Sequence, residues 1–179
     1  MRKTGTKIFS WVLLLLLLAG LLTGCGTNDQ GNSAGGQRVL RYGSGDYTAI
    51  NPALYEHGEI NALLFAGLTA HNEKNEVVPG LAEDWSFDEK TCTYTFSLRE
   101  GLTFHDGEPL TSADVKFTLE AILDEQNGSE IVSNYTDIAE IRCPDALTVE
   151  IRLTQPNAAF PDYMTIGILP EHLLAGKDL

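Results

Sequence analysis

Between Cys92 and Leu98 the chain alternates without a break. Cys92, Tyr94, Phe96 and Leu98 take one set of positions, and Thr93, Thr95 and Ser97 the other. Successive strand side chains point to opposite faces, so this period of two reads as a half-buried strand, with one face on a core and one in water. Trp85 to Phe87 precedes it across Asp88-Glu89-Lys90, which predicts a hairpin. Leu68 to Val78 reads as another hairpin around Asn72-Glu73-Lys74-Asn75, followed by the breaker Pro79-Gly80. A third is predicted where Ile138 to Cys143 and Thr148 to Leu153 flank Pro144-Asp145-Ala146. Val39 to Tyr42 reads as a further strand, and Asn51-Pro52 as a turn, because the residue before proline is pushed out of the helical region.

Two segments carry the helical period instead. From Glu59 to Ala66 the residues Ile60, Leu63 and Leu64 predict a short amphipathic helix stopped by Gly67. Thr111 begins a longer one, with Asp114 three residues on as a capping-box partner. Val115, Leu119, Ile122 and Leu123 give it an apolar face, and Asn127-Gly128 is its expected end. Strands outnumber helices and come as hairpins, so the fold class is α+β with antiparallel sheet, not a doubly wound one. No internal repeat is present.

The first 24 residues stand apart from this pattern. Arg2, Lys3 and Lys7 precede an uncharged stretch from Ile8, which closes on Leu22-Thr23-Gly24-Cys25. A basic segment, an apolar segment and small residues before a cut make a secretory signal. From Ile8 to Leu22 there are 15 residues, short of the roughly 20 that span a bilayer. The cysteine directly after the small pair resembles a bacterial lipoprotein lipobox. That resemblance implies diacylglycerol transfer to Cys25 and cleavage before it. Two acyl chains, at about 0.8 kcal/mol per buried methylene, anchor a protein stably where one holds it only reversibly. The stretch 25–37 is rich in Gly and Asn with no large apolar residue, so it reads as a flexible tether. Such a dozen residues reach about 20 Å root-mean-square. The folded part is expected to be 38–179, facing the extracellular side or the periplasm.

Charge narrows the partners. The chain has 12 basic and 25 acidic residues; without the three basic residues of the signal, nine remain against 25, a balance of −16. That balance repels nucleic acid and offers anionic lipid no basic patch, so attachment to a membrane must be covalent. Besides Cys25 there are Cys92 and Cys143, each on a segment predicted as a strand. An exported pair can form a disulfide, but two separate buried thiols are the reading preferred here. No CxxC or Cys/His cluster has zinc spacing, so neither a structural metal nor a cofactor is expected.

Four runs occur in a characteristic order: VPGLAEDW from Val78, YTFSLR from Tyr94, GLTFHDG from Gly101 and PLTSADV from Pro109. Together they resemble family 5 of the bacterial extracellular solute-binding proteins, the peptide and nickel receptors of ABC importers. The resemblance continues through Ile138 to Leu153 and LPEHLL from Leu169, and covers nearly all of 38–179. It implies a two-lobed, periplasmic-binding-protein-like fold (type II, cluster C) whose lobes close on a solute. The chain is expected to be its N-terminal part, the start of lobe one with an inserted antiparallel subdomain. Lobe two, the hinge return and the aspartate that peptide receptors use for an α-amino group are then expected beyond Leu179. A cleft needs both walls, so such a fragment alone is expected to bind its ligand poorly. The signature residues themselves are mostly scaffold. Trp85, Tyr94 and Phe96 supply buried area, and Gly101, Asp106 and Gly107 sit where tight turns need a permissive backbone.

The resemblance also places candidate ligand residues. In nickel-binding relatives a tyrosine a few residues after Asn-Pro touches the ligand, and Tyr55 occupies that place; half-burial for packing is its other reading. His57 and Glu59 could meet a metal chelate or a peptide amine, though a solvated helix N-terminus explains them as well. Ser133, Asn134 and Tyr135 follow the long helix where some relatives contact ligand, and Tyr135 joins the candidate set. His71 and Glu73 read as an exposed hairpin tip, and His105 as structural. Nickel-type relatives carry a basic residue shortly before the Leu-Pro motif, and Met164 to Gly167 has none.

These features predict a lipid-anchored receptor that passes peptides to an ABC permease and its ATPase. A receptor for a nickel chelate or another small solute is the alternative within the family. Of another class, an extracellular metallohydrolase using His57, Glu59, His71 or Glu73 would need a motif such as HExxH or Gly-x-Ser-x-Gly, and the chain has neither. No enzyme is therefore expected, and no catalytic residue is assigned. A degenerate receptor that signals or adheres stays open.

Overall fold

The computed structural model describes residues 39, 41, 43, 50–55 and 58–179, with Glu59 described by its backbone alone. By its internal contacts the chain divides after Gly45. Of the unit Met1–Gly45 only Val39, Arg41 and Gly43 are described, so the signal, Cys25, the tether and most of the strand expected at Val39 to Tyr42 lie outside the described residues. The described helices and strands all lie in the unit Asp46–Leu179. Among the described residues no helix is long and apolar enough to cross a membrane.

A four-stranded antiparallel sheet forms the centre. It contains β3 (Ala82–Asp88), β4 (Thr93–Leu98), β5 (Ile138–Asp145) and β6 (Thr148–Leu153), in the order β3-β4-β6-β5. A smaller pair, β1 (Thr69–His71) and β2 (Val77–Pro79), precedes it. All three predicted hairpins are present. The period of two also holds where it was read: Tyr94, Phe96 and Leu98 are buried, with Val149, Ile151 and Leu153 of β6 on the same face. Phe96 lies opposite Val149 and Tyr94 opposite Ile151. The other face carries Thr93, Thr95, Glu150 and Arg152, joined by Glu140 and Arg142 of β5. There Arg142 and Arg152 both donate to Glu140, at 2.6 and 3.3 Å. The Arg142 hydrogen bond foremost holds the Glu140 carboxyl below its ordinary value.

Helix α1 spans Gly58–Leu64, α2 Ser112–Leu123, α3 Phe160–Tyr163 and α4 Glu171–Leu174. The α2 start is as predicted. The Thr111 N–H donates to Asp114 Oδ2 at 2.8 Å, and the Thr111 side chain accepts in return, which satisfies backbone donors that a helix start leaves open. Val115, Leu119 and Ile122 bury against the sheet.

Three expectations need correction. α2 stops at Leu123, four residues before Asn127, because Asp124 leaves the helical region (φ −72°, ψ 114°). The Asp124 carboxylate then caps a separate 3-10 turn at Glu125–Asn127, which closes on Gly128 at φ 61°. Cys92 does not begin the alternation of β4; it sits in the turn at φ 53°. α1 ends at Leu64, and its apolar side is not covered: Leu63 and Leu64 are 48% and 44% exposed, and the following Phe65 packs on the core instead.

Cys92 and Cys143 are separate free thiols as expected, but each is only half-buried and not buried in the core. The Cys92 carbonyl accepts from Leu153, which faces Ile138 at the far end of β5. Cys143 lies five residues farther along that strand, about 16 Å at 3.3 Å per residue. A disulfide needs Cα atoms within about 7 Å.

Candidate functional site

The segment 51–55 is shaped by Asn51. Its carbonyl accepts from Leu54 and Tyr55 at 3.1 and 2.9 Å, and its side chain accepts from Ala53 at 3.0 Å, so the Asn-Pro pair makes the expected turn. Ser129 Oγ then donates to the Ala53 carbonyl at 2.6 Å, and Glu130 N–H donates to the Leu54 carbonyl at 2.9 Å. Those two bonds bring the Tyr55 loop beside the 3-10 turn Val132–Asn134 and Tyr135.

The opposite wall is backbone packed on backbone. Ile168 N–H donates to Ala66 O at 3.0 Å, Thr69 N–H to Met164 O at 3.2 Å, and Leu81 N–H to Gly67 O at 2.9 Å. A Cβ at Gly67 would stand 2.5 Å from the Thr165 carbonyl carbon, and one at Gly167 would overlap Phe65. Only glycine permits that approach.

Between these walls lies an open cavity of about 650 Å³, whose lining includes Tyr55, Asn61, His71, Tyr135, Asp162 and Tyr163. That volume suits a small organic solute. Tyr135 is 1% exposed, and its hydroxyl donates to the Tyr163 carbonyl at 2.6 Å. Burial, with a smaller contribution from Tyr163, pushes the Tyr135 hydroxyl far up, so it stays a neutral donor. Asn61 Nδ2 donates to the Tyr55 carbonyl at 3.3 Å, and its Oδ1 is buried with no partner among the described residues.

The candidates separate accordingly. Tyr55 and Tyr135, 80 positions apart in sequence, face the same cavity. His57 and the Glu59 side chain lie outside the described residues. Glu73 is exposed in the hairpin loop, as expected. His71 is not at the loop tip: it ends β1, lines the cavity, and its Nε2 lies 3.0 Å from Asp162 Oδ1. Asp162 had no sequence signal, because its partner is 91 residues away. Among the described residues no group of three or more His, Cys, Asp or Glu side chains could hold a metal ion.

A second depression of about 440 Å³, between Leu63, Leu64, Leu110, Ile168 and Leu173, is mainly apolar. At its edge the Asp106 carboxylate and His172 Nε2 meet at 2.8 Å. This joins the Phe-His-Asp-Gly run to the Leu-Pro-Glu-His run, which sequence spacing could not pair. The hydrogen bond lowers Asp106 and raises His172 from their ordinary values. Asp114 secures the same segment, because its Oδ1 accepts from Glu171 N–H at 3.0 Å. Thr118 Oγ1 accepts from Leu169 N–H at 2.8 Å.

Residues 76–174 match the family described as bacterial extracellular solute-binding proteins, family 5 Middle. A Brucella ovis protein named as an ABC transporter peptide-binding protein is 37% identical over 113 residues, covering 62% of this chain and 21% of its own length. The chain thus spans about a fifth of the curated relatives it first matches. NikZ from Campylobacter jejuni, solved in complex with Ni(L-His), is 36% identical with a TM-score of 0.72, over 75% of this chain and 28% of NikZ. The oligopeptide-binding protein AppA from Bacillus subtilis, solved in complex with a nonapeptide, is 26% identical with a TM-score of 0.68, over 74% and 27%. The helices, hairpins and sheet described above are therefore part of a type II periplasmic-binding-protein fold. With its match over residues 76–174, the chain belongs to family 5 of the bacterial extracellular solute-binding proteins.

Proposed function

We propose that this chain serves a lipid-anchored receptor that captures peptides outside the cell and delivers them to an ABC permease and its ATPase. The observation that carries the reading is the convergence of Tyr55 and Tyr135 on one cavity of about 650 Å³, in a fold shared with NikZ and AppA. The peptide-binding name of the Brucella protein and the nonapeptide in AppA favour peptides as cargo. Residues 1–24 are the signal, 25–37 the tether and 38–179 the binding region, with Cys25 carrying the lipid. Tyr55 and Tyr135 contribute walls to the ligand site, and His57 and Glu59, which follow Tyr55 in sequence, are further candidate ligand residues. Capture involves no covalent chemistry; lobe closure supplies affinity through contacts to both lobes.

A nickel-chelate receptor is the second reading, favoured by the likeness to NikZ. The absence of a basic residue from Met164 to Gly167 weighs against it.

The test is uptake of a radiolabelled tripeptide by a host strain that lacks other peptide importers. Deleting this gene should abolish uptake and re-expression should restore it. Unchanged uptake contradicts the reading. In the same strain, Cys25→Ser should remove lipid labelling of the protein and release it from the membrane fraction; unchanged labelling contradicts the anchor.

A further inference from the structure

Among the described residues the cavity wall carries no Lys or Arg, so hydrogen bonds to a solute fall mainly to neutral side chains. Most of the donors there already serve the protein's own backbone. Thr69 Oγ1 donates to the Pro161 carbonyl at 2.7 Å, and Thr165 Oγ1 to the Asp162 carbonyl at 3.0 Å. The Tyr135 hydroxyl is held by the Tyr163 carbonyl at 2.6 Å, and Asn61 Nδ2 by the Tyr55 carbonyl at 3.3 Å. Two lining side chains differ. Among the described residues nothing hydrogen-bonds the Tyr163 hydroxyl or the Asn134 carboxamide. Tyr163 is half-buried and Asn134 exposed. They come from distant elements, since Asn134 ends the 3-10 turn Val132–Asn134 and Tyr163 ends α3. The Tyr135–Tyr163 hydrogen bond ties those two ends together, with the ring centroids 6.3 Å apart. A hydroxyl can donate to a carbonyl, and a carboxamide can accept from an N–H. An amide that leaves water needs both of its groups satisfied.

We infer that Tyr163 and Asn134 together read an amide group of the bound solute. The Tyr163 hydroxyl donates to the amide carbonyl, and the Asn134 side-chain carbonyl accepts from the amide N–H. This rests on the receptor reading and adds two specificity-determining residues to it. The other role open to them, a pair of solvated surface side chains, predicts no effect on binding.

Trialanine separates these roles. It is titrated into the isotope-labelled protein and followed by backbone amide resonances, which detect weak binding. The expected result is that the backbone amides of Asn134 and Tyr163 both shift. Tyr163→Phe, which keeps the ring, and Asn134→Ala should each weaken trialanine binding by about threefold or more, as the loss of one net hydrogen bond does. The melting temperature should stay unchanged in both variants. An unshifted amide at either position, or full affinity in either variant, overturns the inference and leaves the receptor reading standing. No binding of trialanine to the unaltered protein overturns the inference, and with it peptides as the cargo.

Discussion

At the scale of single residues, the informative side chains are those whose partners lie far away in sequence. Asp106 and His172 occur in two separate motif runs, 66 residues apart, and meet at 2.8 Å. Their effects on stability carry opposite signs with pH. His172 is raised in the fold, so its contribution is fully present below its ordinary value of 6.5 and is lost as pH rises through the raised one. Asp106 is lowered, so its contribution is present above its ordinary value of 3.8 and is lost as pH falls through the lowered one. A proton-detected titration should place the His172 midpoint above 6.5, and Asp106→Asn should return it toward 6.5. A midpoint at or below 6.5 in the unaltered protein would show that the contact does not form. Tyr55 was legible because its place after Asn51-Pro52 resembles a family pattern. His71 and Asp162 were not, since no local spacing links residues 91 positions apart.

Elements were legible where the determinants are local. The three hairpins show themselves through turn residues between alternating runs, and α2 through Thr111 and Asp114. Removing that cap with Thr111→Ala should cost about 1 kcal/mol, within the usual range of 0.5–2. Urea unfolding should register the cost as a lower midpoint with an unchanged slope. No loss of stability would mean that the capping box is not the device holding the helix start. The end of α2 departs from the expected one for a related reason. Asn127-Gly128 does end a helical turn, but it is the short 3-10 turn that Asp124 starts after α2 has closed. The sheet order was not legible at all. β4 pairs with β6 across a gap of about fifty residues that includes α2, and only the buried rows Tyr94, Phe96 and Val149, Ile151 decide that neighbourhood. As the two central strands, β4 and β6 should exchange their backbone amides most slowly of the four. Faster exchange there than in β3 and β5 would contradict the order.

The whole molecule combines a strongly acidic surface, an expected lipid tether and a fold whose relatives bind solutes. The acidic composition disfavours nucleic acid as a partner but is silent on cargo. The cavity arises only when the loop 51–55, the turn before Tyr135 and the glycine-bearing segments near 67 and 167 are assembled by hydrogen bonds between distant residues. No stretch of sequence contains it. Capture without chemical change is therefore best tested on the molecule as a whole. Calorimetry of the protein expressed from its own gene against a pool of short peptides, followed by mass spectrometry of the recovered pool, is the most direct measurement. A saturable heat with every peptide recovered intact is the predicted result. Cleaved peptides, or no heat with any of them, would contradict the account.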